Sequence, residues 1–186
     1  MNFNFQYLNT AIKLEDEFIE PLKSKFKRRE LKEGKHLIKK GQIVDSYFYI
    51  ESGFLRSYHL NGDKEHTLWI EAQGEFVIEI KSIRLQVPTD FNIVALEPVV
   101  YYVIKATEFD RLCIQYPLLQ SYMQRLWEVR FITARDGLRA FQTLDAKGRY
   151  EYLIQHFPNF EKLPLHQLAN ILGITQYSLS RIRRKI

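Results

Sequence analysis

Residues 54–70 read FLRSYHLNGDKEHTLWI, two runs of aromatic, β-branched and leucine residues on either side of Asn61-Gly62. An Asn-Gly pair tolerates the positive φ that a type I′ turn demands at both central positions. Phe54–Leu60 and Thr67–Ile70 are therefore expected to fold back on each other as a hairpin. Outward from it the same pattern continues: His36-Leu37-Ile38, Tyr47-Phe48-Tyr49-Ile50, Phe76–Ile80 and Phe91–Ile104 are short runs rich in strand formers. Lys40-Gly41, Ser52-Gly53, Gln73-Gly74, Pro88 and Pro98 punctuate them as turns. Strands with a turn about every 10–12 residues, from Leu31 to about Lys105, indicate an all-β barrel or jelly roll.

On both flanks the period is helical. Leu14, Phe18 and Leu22 are spaced for a helix between Met1 and Leu31, ended by the Lys/Arg run Lys23–Arg29. Beyond Thr107, Pro117 can open a long helix running to about Phe141. Leu119, Tyr122, Leu126 and Val129 form one apolar stripe along it, and Trp127, Phe131, Ala134, Leu138 and Phe141 form another. Two stripes need cover on two sides. One can lie on the chain's own barrel; the other suits the identical helix of a second copy, a two-fold homodimer. Leu119, Tyr122, Leu126 and Val129 are assigned to that seam. The plainer alternative is that both stripes are core.

Residues 165–186, LHQLANILGITQYSLSRIRRKI, carry the most specific pattern. Leu165, Leu168, Ala169 and Leu172 line one face of a short helix, and Gly173 supplies the left-handed residue that ends it. Thr175 can cap a second helix with its hydroxyl, and Leu179, Ile182 and Ile186 give that helix its inner face. Ala169 is small enough for a close crossing, and Ile174 plugs the turn. Helix, short glycine turn and helix is the helix-turn-helix pattern. Gln176, Tyr177, Ser180 and Arg181 project from the other side of the second helix. Arg pairs bidentately with guanine O6/N7 and Gln with adenine N6/N7, so Gln176, Tyr177 and Arg181 are expected to read bases. Thr175, Ser180, Arg183, Arg184 and Lys185 are expected on phosphates.

Charge points the same way. The chain of 186 residues has a net charge of +5, and residues 145–186 hold seven Lys and Arg against three Asp and Glu. That asymmetry fits a polyanionic partner, although a solvated basic tail has the same composition. No apolar run approaches the ~18–20 residues of a membrane span. The N-terminus lacks the basic and apolar segments of a signal peptide. A soluble, cytoplasmic protein with no membrane partner is expected. The single cysteine, Cys113, excludes an internal disulfide and a cysteine-ligated iron–sulfur cluster. No metal or cofactor is expected, and isolated His36, His59, His66, His156 and His166 give no support to a haem ligand. Cys113, between Leu112 and Ile114, reads as inert packing. Walker-type, G-x-G-x-x-G, H-E-x-x-H and G-x-S-x-G motifs are all missing, which argues against an enzyme.

The chain resembles the cyclic-AMP receptor protein/FNR (CRP/FNR) family of bacterial transcription regulators from residue 31 onward. The family's sensor pattern is matched by Gly41, Asp45, Tyr47-Phe48-Tyr49-Ile50 and Gly53, and Gly74-Glu75-Phe76 resembles the approach to its phosphate-binding cassette. The long central helix matches 118–141 and the recognition helix matches 175–186. The resemblance implies an α+β chain with three parts. These are a cyclic-nucleotide-binding-like β-roll (jelly roll) with an N-terminal helix over 1–115, a dimerisation helix over 116–142, and a helix-turn-helix DNA-binding domain over 143–186. It also implies base contacts from Gln176, Tyr177 and Arg181.

The cassette departs from the family pattern. Glu79 occupies the ribose-binding glutamate position, but Ile78 precedes it where the family has glycine, and the Arg-Ser/Thr pair reads Pro88-Thr89. Proline has neither charge nor N–H, so it cannot grip a cyclic phosphate. Glu79, Pro88 and Thr89 thus mark a degenerate effector pocket, and Arg84 has no position assigned by the sequence. The expected protein is a homodimeric regulator that reads a pseudo-palindromic operator in double-stranded DNA. An unknown small-molecule effector other than cyclic AMP and RNA polymerase are its further candidate partners. The alternative is a ligand-binding or protein-interaction module that does not read DNA.

Overall fold

The computed structural model describes residues 24–184. The N-terminal helix expected around Leu14, Phe18 and Leu22 and the terminal residues Lys185 and Ile186 lie outside them. Among the described residues, eight strands form two four-stranded antiparallel sheets. One has the order β1 (Lys27–Leu31), β8 (Val99–Lys105), β3 (Ser46–Ser52), β6 (Phe76–Val77). The other has the order β2 (His36–Ile38), β7 (Asn92–Ala95), β4 (Leu55–Asn61), β5 (Lys64–Glu71). This is the expected β-roll. Six α-helices complete the described residues: α1 (Ile80–Leu85), α2 (Ala106–Gln115), α3 (Pro117–Thr143), α4 (Ala146–His156), α5 (Leu165–Leu172) and α6 (Gln176–Arg183), with a 3-10 turn at Pro158–Lys162. Two compact units, Met1–Arg125 and Leu126–Ile186, divide the chain, the boundary falling within α3.

The hairpin forms, with a different turn. Asn61 pairs with Lys64 as the last rung of the ladder, leaving Gly62-Asp63 as the loop. Only Gly62 has a positive φ, +60°, the mark of a type II′ rather than a type I′ turn. Three other sequence expectations shift. Phe76–Ile80 keeps only two residues as strand, because Glu79 starts α1 instead. Phe91–Ile104 is split by Leu96-Glu97-Pro98 into β7 and β8. The third concerns the Lys/Arg run: Lys27, Arg28 and Arg29 lie in β1, an exposed strand paired to β8. Charged side chains are how such a sheet edge resists pairing with other chains.

The β-roll core is aromatic. Tyr47 and Tyr49 point to one face of β3, where Phe109 of α2 meets Tyr47 edge-on at 5.0 Å and Phe76 meets Tyr49 at 5.1 Å. Phe26 and Phe76 complete the cluster around Phe109. Asp45 fixes the entry to α2: its carbonyl accepts from Ala106 N–H at 2.8 Å, and its carboxylate pairs with Lys105. That pairing and the Ser46 hydroxyl hold Asp45 below the usual carboxylate range. Cys113 is buried, and desolvation pushes its thiol up to about 11, as inert packing requires. Among the described residues no helix is long and apolar enough to cross a membrane.

On α3 the burial of the two stripes is unequal. Leu119, Tyr122 and Leu126 are buried and Val129 is half-buried, whereas Phe131 is 71% and Leu138 60% exposed, with Trp127 partly exposed beside them. The residues assigned to a dimer seam are thus already covered within the chain. The free apolar face is the other stripe. Periodicity alone could not distinguish the two, because both repeat at the same helical interval.

Candidate nucleic-acid interface and effector cassette

The cassette is built around α1. The Glu79 carboxylate accepts from Ser82 N–H at 3.0 Å and so caps the helix. Ser82 is fully buried, and its hydroxyl accepts from Val44 N–H at 2.7 Å. Thr89 is buried too, with its backbone tied to the loop after β2: Gly41 N–H donates to its carbonyl at 2.8 Å, and its own N–H donates to Gln42 at 2.9 Å. The Thr89 hydroxyl has no partner. Pro88 is exposed. Arg84 donates to both carboxylate oxygens of Asp110, at 2.5 and 2.9 Å, and to the Tyr47 hydroxyl at 2.9 Å. Hydrogen bonding to Asp110 raises the Arg84 pKa further. Sequence reasoning missed this pairing of Arg84 with Tyr47 and Asp110, because nothing in their spacing connects the three.

The second constellation grows from the end of α5. Leu168, Ala169 and Leu172 are fully buried, as their spacing predicts. Gly173 follows with φ +67°; its N–H donates to Asn170 O at 3.2 Å, and Ile174 N–H donates to Ala169 O at 3.0 Å. This pair of bonds is a Schellman motif, with Ile174 set against Ala169 in sequence register. Thr175 then caps α6, its hydroxyl accepting from Ser178 N–H at 3.1 Å and bonding the Ser178 hydroxyl at 2.9 Å. Ser178, to which the sequence assigned nothing, completes that cap. Leu179 is fully buried and anchors the helix.

Gln176, Tyr177 and Arg181 are exposed together on α6, with the Arg181 guanidinium 5.9 Å from the centre of the Tyr177 ring. Ser180 is half-buried and Arg184 exposed. Arg183 differs from its neighbours. Its Nε donates to the Tyr150 hydroxyl of α4 at 3.2 Å, and its guanidinium lies over the same ring at 5.7 Å. Among the described residues no group of His, Cys, Asp and Glu is arranged to hold a metal ion.

Residues 28–116 match the family model described as the cyclic nucleotide-binding domain. No curated protein matches the chain in sequence. Solved structures resemble it over most of its length. The catabolite activator protein of Thermus thermophilus is 22% identical, with 92% of this chain and 83% of that one covered and a TM-score of 0.59. A CooA mutant from Carboxydothermus hydrogenoformans is 19% identical over 97% of this chain and 85% of that one, with a TM-score of 0.69. FixK2 from Bradyrhizobium japonicum is 11% identical over 86% and 83%, with a TM-score of 0.70. At these identities the likeness is one of fold. Residues 28–116 thus match the cyclic nucleotide-binding domain model, and the chain shares its fold with these solved structures.

Proposed function

We propose that the chain is a homodimeric, sequence-specific DNA-binding transcription regulator. The observation that carries this reading is the α5–turn–α6 pair. Its buried side is apolar and its turn is fixed by Gly173 and Thr175. Its free side presents Gln176, Tyr177 and Arg181, donors and acceptors suited to base edges in a major groove. In this reading Arg184 and Lys185 neutralise phosphates near the end of α6. Residues 1–115 act as sensor, 116–142 as dimerisation helix and 143–186 as DNA reader in the cytoplasm, with RNA polymerase as a further partner. The exposed face of α3 around Trp127, Phe131 and Leu138 is the surface we assign to the second copy, because an apolar stripe of this kind suits a helix–helix seam. Two half-sites then lie about one helical turn apart, ~34–36 Å.

The cassette supports an effector other than cyclic AMP, or none. A cyclic phosphate needs a buried cation, yet Pro88 offers none and Arg84 is engaged by Asp110 and Tyr47. Glu79, which would meet a ribose, is used to cap α1. Cyclic AMP at about 1 mM is expected to leave the melting temperature unchanged, since a Kd weaker than ~1 mM limits the stabilisation to about 0.4 kcal/mol. A clear upward shift in differential scanning fluorimetry contradicts this.

The function is tested by selecting duplexes from a random pool with the purified protein, without ligand and at fixed salt. Enrichment of an inverted repeat is the expected result. Recovery of unspecific DNA alone, with or without added small-molecule extract, would overturn the proposal in favour of an interaction module.

A further inference from the structure

Arg149 and Tyr150 are adjacent on α4, and each reaches a different part of the α5–turn–α6 pair. Arg149 donates from Nη1 to the carbonyl of Leu172 at 3.4 Å, the last residue of α5 before the turn. Its Nε donates to Leu144 O at 3.2 Å, and its guanidinium lies 6.0 Å from the centre of the Phe141 ring. A cation at this place satisfies a carbonyl that α5 cannot bond internally, and it faces the negative end of the helix dipole. Tyr150 takes the other end: it accepts from Arg183 Nε and lies under the Arg183 guanidinium. Tyr150 is buried and Arg183 half-buried. Arg183 therefore differs from Arg181 and Arg184, which are exposed.

From this geometry we infer that Arg149 and Tyr150 form a clamp that positions α6, and that Arg183 belongs to the clamp rather than to the phosphate contacts. Arg149 fixes where α5 ends and the turn begins. Tyr150 and Arg183 fix the last turn of α6. Two of the seven basic side chains in residues 145–186 are thereby used inside the unit, so net charge overstates the phosphate footprint. The inference rests on the DNA-reading proposal for its functional consequence, while the clamp itself is a property of the free protein.

The experiment uses full-length protein and a duplex enriched by the wild type, with affinity measured by fluorescence anisotropy across a salt series. Arg183→Ala, Tyr150→Phe and their combination are compared with Arg184→Ala. Each clamp variant is expected to weaken binding roughly 3–10-fold, with the slope of log K against log salt unchanged. The double variant should lose little more than either single one, as coupled residues do. Arg184→Ala should flatten the slope by about 0.9, the loss of one phosphate contact. A slope reduced equally by Arg183→Ala, with additive losses, overturns the inference. Arg149→Lys keeps the charge and removes the guanidinium fork, so it reports on the other arm where Arg149→Ala does not fold. Amide exchange in the absence of DNA separates the two proposals. If no duplex is enriched, the DNA-reading proposal fails, yet Tyr150→Phe should still speed exchange in α6 several-fold; unchanged exchange refutes the clamp.

Discussion

Gly53→Ala is expected to destabilise the β-roll by about 2–5 kcal/mol, the largest effect of any glycine substitution in the described residues. Gly53 joins β3 to β4 with φ +93°. A residue with a Cβ pays roughly 1–2 kcal/mol to adopt a left-handed conformation. Here the new Cβ would also stand 2.8 Å from the Pro98 carbonyl oxygen and 2.9 Å from Val99 Cγ2. The first of these is backbone and cannot swing aside, so the β3–β4 connection or the start of β8 must move. Gly62→Ala is the control. It also has positive φ, +60°, but a Cβ there meets nothing within 4 Å, so only the conformational cost of about 1–2 kcal/mol applies. Chemical denaturation of both variants measures the difference. Equal losses would mean that crowding at Pro98 and Val99 is relieved at no cost.

Gly53 also shows what was legible in the sequence. Ser52-Gly53 marks a turn, and the resemblance reads the same glycine as part of the sensor pattern, but neither exposes the close approach of Pro98, which lies 45 positions away. The same boundary runs through the candidate site. Local chemistry was readable: the glycine and threonine around Ile174 predict a stop and a start, and both form as hydrogen-bonded motifs. Pairings between distant residues were not. Arg84 with Asp110, and Arg183 with Tyr150, depend on which elements the fold places side by side. Charge counting treats Arg183 and Arg184 alike, yet only Arg184 is exposed. The strand at Lys27–Leu31 was missed because an edge strand is stabilised by its neighbour β8 and carries few of the apolar residues that announce a buried one.

Arg181→Ala is expected to cost ~1–3 kcal/mol on the enriched duplex and to relax sequence preference at one base pair in each half-site. The exposed guanidinium is preorganised by Tyr177, whose ring lies 5.9 Å away on the preceding turn. A cation–π contact at an exposed site is worth about 0.5–1 kcal/mol, enough to bias a flexible side chain without consuming its hydrogen bonds. Arg181 thus keeps its fork free for a base edge, whereas Arg183 is already bonded to Tyr150. Tyr177→Ala should therefore reproduce part of the Arg181→Ala loss at the same base pair, in addition to whatever Tyr177 contacts itself. Repeating the random-pool selection with each variant gives the comparison at every operator position. If Arg181→Ala weakened all sequences equally and lowered the salt slope, Arg181 would be a phosphate contact. Base reading would then have to rest on Gln176 and Tyr177.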